Sequence, residues 1–343
     1  MTALGALISA SESARGPDAG VVGCIGADVP NELVLAAGLY PVALRDPGPT
    51  SPRADQILGP RVGAPERAIL AGLLEGRPRV DFALIAHDSD STVRLFTALR
   101  VLAGREPLPT LWFVDLLHLP TETTARYNRA RLEELVGVLE RWSGGRVSDE
   151  RLREAIRDAN EMRRLLAQVA GLRRASPPLL SGSEALAAIS AASVLPVAEA
   201  NHLLGALIRE RTTSLPPTSR RVFVTGSVQV DPGLYRTLEA AGFHVAGDDH
   251  DPDGRLVAED IEPLEAIAAY YPLHRHGSKG RAERTARAAD DAEADVVLAW
   301  IRTGDDSLAW GVPALRRVLD LPLVVLEQRG ADPLDADELA LLV

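Results

Sequence analysis

Residues 21–44 read VVGCIGADVPNELVLAAGLYPVAL, and the order of apolar runs and glycines in this stretch indicates the fold class. The apolar run at 21–25 stops at a glycine, which predicts a short buried strand. Residues 30–38 then read as a helix that a glycine closes, and the apolar run at 40–44 predicts a second strand. A strand, a helix and a strand in such close succession indicate a parallel sheet with helices packed on its faces.

The same alternation continues along the chain. Further strands are predicted at 81–86, 111–115, 222–225, 243–246, 295–300 and 323–327. Helices are predicted at 65–76, 92–102, 231–241, 280–291 and 307–319, and a loop is predicted at 46–65. Apolar residues at helical spacing, without a convincing strand, fill residues 122–212. The pattern predicts an α/β fold of two doubly wound, Rossmann- or flavodoxin-like parallel-sheet domains, 1–121 and 219–343, with a helical middle section at 122–218.

Length and charge limit the classes of function. The 343 residues suit two domains at roughly 150 residues each. With 37 basic and 48 acidic residues the net charge is -11, and no basic block provides a phosphate-binding surface, so we expect no nucleic-acid partner. No apolar run is long enough for a membrane span, and the N-terminus lacks the basic region of a signal peptide. We therefore expect a cytoplasmic protein that does not bind membranes.

The sequence contains one cysteine, Cys24. This count excludes an intrachain disulfide, a cysteine-rich zinc site and an iron–sulfur cluster held by three or four thiolates of this chain. Because Cys24 lies in an apolar strand, we expect it to be a small packing residue rather than a nucleophile.

Polar residues cluster where the predicted strand 81–86 ends. His87, Asp88, Ser89 and Asp90 follow it directly, and parallel sheets bind their ligands beyond the carboxyl ends of the strands. These side chains have two interpretations: they contact a ligand, or they solvate the loop and cap the next helix. For a helix that begins at Thr92, Asp90 or Ser91 is the expected N-cap.

Histidine and aspartate side chains suggest a further site. His87, His250 and Asp251, with His274 or His276, have the ligand types of a mononuclear zinc or iron site. No His-x-x-x-His or His-Glu-x-x-His spacing is present, so solvated loop histidines are the favoured interpretation. Acid–base catalysis by a His–Asp pair is a third hypothesis for the same residues.

Two weaker candidates come from local context. Gly226 and Ser227 follow a predicted strand, where backbone N–H groups can bind a phosphate or carboxylate, although a plain turn is the favoured interpretation. Glu32 lies near the start of its predicted helix, where it either caps the helix or faces a substrate.

Several strings of the sequence resemble the D-component family of 2-hydroxyacyl-CoA dehydratases and benzoyl-CoA reductases. The first reads PNELVLAAGLYPV at 30–42, and it is similar to the Pro-x-Glu helix and the Ala-Gly-x-x-Pro turn of that family. Other similar strings lie at 139–146, 152–156, 160–163, 225–227, 247–249 and 294–297. The resemblance covers nearly the whole chain.

The resemblance implies a cofactor that this sequence does not match. In that family two homologous subunits pair, three cysteines hold a 4Fe–4S cluster, and an ATP-driven activator supplies an electron for radical chemistry on an acyl-CoA. Here the corresponding positions read Ser89-Asp90, Asp248-Asp249-His250-Asp251 and Gly304-Asp305. Serine is a poor iron ligand and glycine offers none. We therefore expect this chain to bind no cofactor, with a 4Fe–4S cluster in a partner subunit.

The resemblance thus predicts a subunit without its own cluster ligands, which shapes an acyl-CoA pocket. Its predicted partner is a cysteine-bearing homologue, in a heterodimer, or a second copy of itself. Ser89, Asp90, His87 and Glu32 are the candidate catalytic residues. One alternative is a stand-alone non-redox enzyme with a His/Asp acid–base or mononuclear metal site in the same cleft. Another is a binding or regulatory module without chemistry of its own.

Overall fold

The structure is a computed structural model of the chain. It describes residues 2–13, 20–45, 49–87, 89–216, 220–229, 231–250, 254–274, 280–303, 305, 309–330 and 334–343. The chain forms two compact units, each built around one parallel sheet. The β1–β4 unit comprises Ala14–Glu161 and Leu256–His276, and the β5–β8 unit comprises Met1–Ser13, Met162–Arg255 and Gly277–Val343.

The β1–β4 unit contains four parallel strands in the order β2-β1-β3-β4. They are β1 (Val21–Ile25), β2 (Tyr40–Ala43), β3 (Phe82–Ala86) and β4 (Thr110–Val114). Because the strand order reverses between β1 and β3, the carboxyl ends of these two strands flank the crevice where doubly wound sheets bind ligands. The register there pairs Val22 with Phe82 and Ile25 with Ile85.

Helices cover both faces of this sheet, which explains why its central strands read as continuous apolar runs. Val22, Cys24 and Leu84 belong to one core cluster, whereas Ile25 and Ile85 belong to a second. The helices of this unit are α2 (Asn31–Ala36), α3 (Pro52–Leu58), α4 (Ala64–Leu74), α5 (Asp90–Leu102), α6 (Glu122–Ser143) and α11 (Pro263–His274). α7 (Asp149–Arg174) contributes residues to both units.

The β5–β8 unit repeats the plan. Its parallel strands lie in the order β6-β5-β7-β8. They are β5 (Arg220–Gly226), β6 (Phe243–Asp248), β7 (Val296–Arg302) and β8 (Leu323–Arg329). The helices of this unit are α1 (Ala3–Ser13), α8 (Gly182–Ala192), α9 (Val197–Glu210), α10 (Gly233–Ala240), α12 (Arg281–Asp291), α13 (Val312–Val318) and α14 (Ala336–Ala340). Both sheets confirm the predicted doubly wound α/β fold class.

Several elements differ from the sequence prediction. The segment 46–65, predicted as a loop, contains α3, because Ser51 accepts a hydrogen bond from the backbone N–H of Ala54 and Pro52 occupies the first turn. The helices α11 and α14 were not predicted. The unit boundaries also differ from the predicted division at 121 and 218, because α6 belongs to the first sheet whereas α8 and α9 belong to the second unit.

Within the described ranges, no helix combines the length and the apolar character that a membrane crossing requires.

Candidate functional site

The first polar group at the carboxyl edge of the β1–β4 sheet is the N-terminus of α5. Ser89 is the N-cap: its Oγ accepts a hydrogen bond from the Thr92 backbone N–H at 3.2 Å, and Thr92 Oγ1 accepts one from the Ser89 N–H at 3.0 Å. The prediction of Asp90 or Ser91 as the N-cap was therefore wrong by one or two residues. Asp90 lies in the first turn, and Ser91 Oγ accepts a hydrogen bond from the Gly63 N–H. Asp88 lies outside the described residues.

His87, two residues before that cap, pairs with an aspartate at the end of the neighbouring strand. Its Nδ1 lies 2.8 Å from Oδ1 of Asp115, which directly follows β4. The Tyr127 hydroxyl, from α6, donates a hydrogen bond of 2.8 Å to Oδ2 of the same carboxylate. The His87 backbone N–H donates to the Val114 carbonyl oxygen and fixes the strand end. Three side chains from two strand ends and one helix therefore form one hydrogen-bonded group.

The electrostatics of this group favour an ionised carboxylate. Partial burial raises the pKa of Asp115, but the hydrogen bonds from His87 and Tyr127 and the charge of Arg131 outweigh it, so the pKa lies below its ordinary value. The same hydrogen bond to Asp115, together with burial, raises the pKa of the Tyr127 hydroxyl. Tyr127 therefore remains a hydrogen-bond donor at neutral pH.

A second histidine–carboxylate pair occupies the same unit. His118, in the segment between β4 and α6, places Nε2 2.9 Å from Oδ2 of Asp28, whose side chain is only 1% exposed. Asn128 holds this segment in place: its Oδ1 accepts from the Leu117 N–H and its Nδ2 donates to the Leu117 carbonyl oxygen, both at 2.8 Å. Asp28 and His118 carry no sequence signal of their own, because each is an isolated polar residue in a loop.

Glu32 is fully buried in the first turn of α2. Its Oε2 accepts a hydrogen bond of 2.7 Å from the hydroxyl of Tyr271, on α11. The predicted roles of Glu32 were a helix cap and a contact to substrate, and this hydrogen bond is neither of them. It joins α2 to α11 through two residues that are 239 positions apart in the sequence.

The carboxyl edge of the β5–β8 sheet is also polar. Gly226 ends β5 with a positive φ of 115°, and Ser227 donates its backbone N–H to the Trp300 carbonyl oxygen at 2.8 Å. Ser227 Oγ accepts from the Arg302 N–H at 3.0 Å and donates to Asp305 Oδ2 at 2.8 Å. The hydroxyl of Ser227 is thus engaged within the protein.

Asp249 follows β6 and is similarly engaged. Its carboxylate accepts hydrogen bonds from the hydroxyls of Thr225 and Thr285, the latter at 2.9 Å. Arg281, at the start of α12, lies 3.3 Å from Oδ2 of Asp249.

Asp248 is the most buried acid of this edge. The fully buried Arg173 side chain lies 3.4 Å from Oδ2 of Asp248, the Tyr235 hydroxyl donates to the same oxygen at 2.7 Å, and the His250 backbone N–H donates to Oδ1 at 2.7 Å. Burial raises the pKa of Asp248, but the charge of Arg173 and these hydrogen bonds hold it below its ordinary range. His250 Nε2 contacts the Gly226 carbonyl oxygen at 3.1 Å.

Cys24 lies in β1 and is buried in the core. Burial raises the pKa of its thiol to about 12, and the thiol contacts the Val22 carbonyl oxygen at 3.6 Å. The thiolate, which is the form that binds iron, is therefore strongly disfavoured.

The residues of the suggested mononuclear metal site are not brought together by any described contact. His87 and His250 belong to different units, and Asp251, His276 and the side chain of His274 lie outside the described part of the chain. In the part of the chain that the structure describes, no three His, Cys, Asp or Glu side chains form a group suited to a metal ion.

The sequence patterns located both polar edges but not the partners within them. Asp115 has the same signal as His87, a polar residue directly after a buried parallel strand, and that rule applied to every strand finds it. Tyr127 and Tyr271 carry no such signal, because each reaches its carboxylate from a helix whose packing is set by distant residues.

Comparison with known proteins places this chain in a family. Residues 27–338 match the family model described as 2-hydroxyglutaryl-CoA dehydratase, D-component. A benzoyl-CoA reductase subunit of Thauera aromatica is 29% identical over 177 residues, which cover 49% of this chain and 44% of that protein, less than half its length. The (R)-phenyllactyl-CoA dehydratase beta subunit of Clostridium sporogenes is 20% identical over 321 residues, 89% of this chain and 85% of that protein. Because the family model spans nearly the whole sequence, this chain belongs to the 2-hydroxyglutaryl-CoA dehydratase D-component family.

Proposed function

We propose that this chain is a subunit of an acyl-CoA dehydratase or reductase complex, that it holds no iron–sulfur cluster, and that it pairs with a cysteine-bearing homologue. The family and the names of its relatives, one a subunit of a benzoyl-CoA reductase and the other the beta subunit of a phenyllactyl-CoA dehydratase, support membership of such a complex. In this role the chain shapes the acyl-CoA pocket, and the partner carries out the electron chemistry.

One observation carries the proposal: the donor set does not fit the cluster. Ser89, Asp251 and Gly304 stand where the resemblance places the family's cysteines: Ser89 caps α5, and Asp251 and Gly304 lie outside the described residues. Beside these positions, Asp305 accepts a hydrogen bond from Ser227. Asp249 binds two threonine hydroxyls and Arg281. The one thiol of the sequence, Cys24, is buried and has a pKa of about 12. A 4Fe–4S cluster needs several thiolates, so no step of the reaction is assigned to iron on this chain.

The first test is the metal content of the chain alone. Protein purified under anaerobic conditions should be colourless and contain iron far below stoichiometry. A brown sample with about four irons per chain, the content of one 4Fe–4S cluster, would reject the proposal.

The second test concerns the partner. Co-expression with a homologue that has cysteines at the three aligned positions should give a stable complex on size-exclusion chromatography, with iron in the homologue. A homologue whose three cysteines are replaced by serine is the matched control, since it should still bind this chain but lose the iron. Separate elution of the two intact proteins would contradict the pairing.

A second candidate function is a stand-alone enzyme that performs non-redox acid–base chemistry. The His87–Asp115 pair favours it, because a carboxylate on one ring nitrogen orients the other for proton transfer. The two functions differ in their need for a partner: a stand-alone enzyme completes its reaction without a homologue, whereas the proposed subunit supports the complete dehydration or reduction only in the complex.

A further inference from the structure

The group formed by His87, Asp115 and Tyr127 has a fixed direction of hydrogen bonding. Asp115 is ionised and can only accept hydrogen bonds, so both of its neighbours donate to it. The Tyr127 hydroxyl fills Oδ2, and the imidazole must direct its Nδ1–H to Oδ1. In the neutral ring this tautomer makes Nε2 the basic nitrogen.

The imidazole is both held in place and accessible. The Phe113 ring packs against it at 5.6 Å, and the backbone of His87 is bound to the end of β4. The His87 side chain is nevertheless 50% exposed, compared with 23% for His118 in the other histidine–carboxylate pair. A half-exposed imidazole that is held in place with a set tautomer is the arrangement that a general base requires.

The position of His87 matches the place where this sheet type binds ligands. His87 directly follows β3, one of the two strands at which the strand order reverses. The acids of the β5–β8 edge have different partners: Asp248 and Asp249 are bound to arginine and hydroxyl side chains.

We propose that His87, Asp115 and Tyr127 form a proton-transfer site in which His87 Nε2 removes the hydrogen from the carbon next to the carbonyl of an acyl thioester. The C–H bond breaks, its electron pair remains on the thioester as the enolate, and the proton forms imidazolium, which Asp115 stabilises. The reverse step returns a proton to carbon after exchange with water, so no oxidant or reductant is needed. His87 is the catalytic residue, and Asp115 and Tyr127 are positioning residues. The choice of ligand rests on the proposed function.

The tautomer is tested on the full chain by long-range proton–nitrogen NMR of ¹⁵N-histidine-labelled protein. The signals of His87 are assigned by their loss in His87→Gln, and His202, an exposed histidine on α9, serves as the internal reference. We expect His87 to be predominantly the Nδ1–H form and to lose this preference in Asp115→Asn. A His87 tautomer equal to that of His202, or unchanged in Asp115→Asn, would overturn the assignment of Asp115.

Proton transfer is tested by deuterium incorporation at C2 of butyryl-CoA in D₂O, followed by mass spectrometry. Wild-type protein should exceed the buffer rate, and His87→Gln should lower the rate by about 100-fold or to the buffer level. Asp115→Asn and Tyr127→Phe should give intermediate losses, because both leave Nε2 in place. Asp115→Asn removes the charge that stabilises the imidazolium and orients the ring, and Tyr127→Phe removes one hydrogen bond that positions the Asp115 carboxylate. The matched control His202→Gln should exchange at the wild-type rate. Equal rates for wild type and His87→Gln would overturn the proposal.

Calorimetric titration with butyryl-CoA separates this proposal from the proposed function. Binding by wild type and His87→Gln, without exchange by either, rejects the proton-transfer site and leaves the acyl-CoA pocket intact. Absence of binding together with a correct His87 tautomer rejects the acyl-CoA ligand, and with it the substrate class proposed for His87.

Discussion

At the scale of single residues, the clearest consequence of burial concerns the thiol of Cys24. With a pKa of about 12 instead of 9.0, its thiolate fraction at pH 8 is roughly 1,000-fold lower than that of an unperturbed thiol. We predict that the folded protein reacts negligibly with Ellman's reagent at pH 8 over minutes. The measurement is the amount of coloured thiolate that the reagent releases per chain, followed by its absorbance.

The control for this prediction is the same protein in concentrated guanidinium chloride, where one thiol per chain should react at once because the sequence contains one cysteine. Rapid release from the folded protein would show that Cys24 is accessible, and would remove the main objection to a cysteine ligand on this chain.

Single residues also show where sequence patterns stop being informative about the site. The cysteine count and the polar residues after β3 could be recognised from the sequence alone. The pairing of His87 with Asp115 could not, because it depends on β4 lying beside β3 in the sheet and on α6 bringing Tyr127 to the same carboxylate. These are contacts between residues 12 to 28 apart, and no local periodicity reports them.

At the scale of elements, two glycines with opposite surroundings give a matched test. Gly226 ends β5 with φ 115°, and a Cβ added there would overlap the Trp300 carbonyl oxygen of β7. Gly171 lies inside α7 with no neighbouring atom within 4 Å of an added Cβ. We predict that Gly226→Ala lowers the free energy of unfolding by about 2–3 kcal/mol or more, because the left-handed backbone and the close strand contact both oppose a side chain.

At Gly171 we expect a change in the free energy of unfolding of the opposite sign. Alanine there should raise the free energy of unfolding by about 0.5–1 kcal/mol, because it reduces the backbone entropy of the unfolded chain without a clash. Urea unfolding of both variants followed by circular dichroism measures the pair. Similar small effects at the two positions would contradict the close approach of β5 to β7 described here.

The elements themselves were predictable where the pattern was long and repeated. The eight strands of the described residues follow apolar runs that the sequence displays, because both faces of each sheet are covered. α3 was missed because Pro and Gly surround it, although Ser51-Pro52 is a valid helix start. α11 was missed because it contains Pro272 and begins after a segment held by Asn160, whose amide pairs with the backbone of Val257 at 2.8 and 2.9 Å. Such a bidentate contact spans 97 residues and leaves no local signal.

At the scale of the whole molecule, sequence order and unit membership diverge. Each sheet is formed by consecutive strands, so the alternating pattern identifies both. The assignment of helices to units follows packing instead: α1 precedes the first sheet but packs with α8 and α9, and Leu256–His276 follows β6 but belongs to the first unit. Each unit has a core cluster assembled from segments that lie far apart in the sequence, and this explains why some helices belong to the more distant unit. The apolar periodicity of a helix does not show which core cluster that helix joins.

The stability of the whole chain should depend on pH through one buried imidazole. His244, in β6, is buried and contacts the Arg173 carbonyl oxygen through Nε2 at 2.8 Å. Burial, aided by the charges of Arg221 and Arg173, lowers the pKa of His244 below 6.5 despite that hydrogen bond. Below pH 6.5 the unfolded chain therefore takes up a proton that the folded chain resists, so the free energy of unfolding falls as the pH falls, by at most about 1.4 kcal/mol per pH unit.

We predict that His244→Gln, which keeps a hydrogen-bond donor but cannot titrate, shows a shallower decline of the free energy of unfolding between pH 6.5 and 5, measured by urea unfolding. The exposed His202→Gln should decline as wild type does. Parallel curves for wild type and His244→Gln would mean that the folded protein accepts the proton at His244 without cost, which the burial of this ring in β6 does not allow.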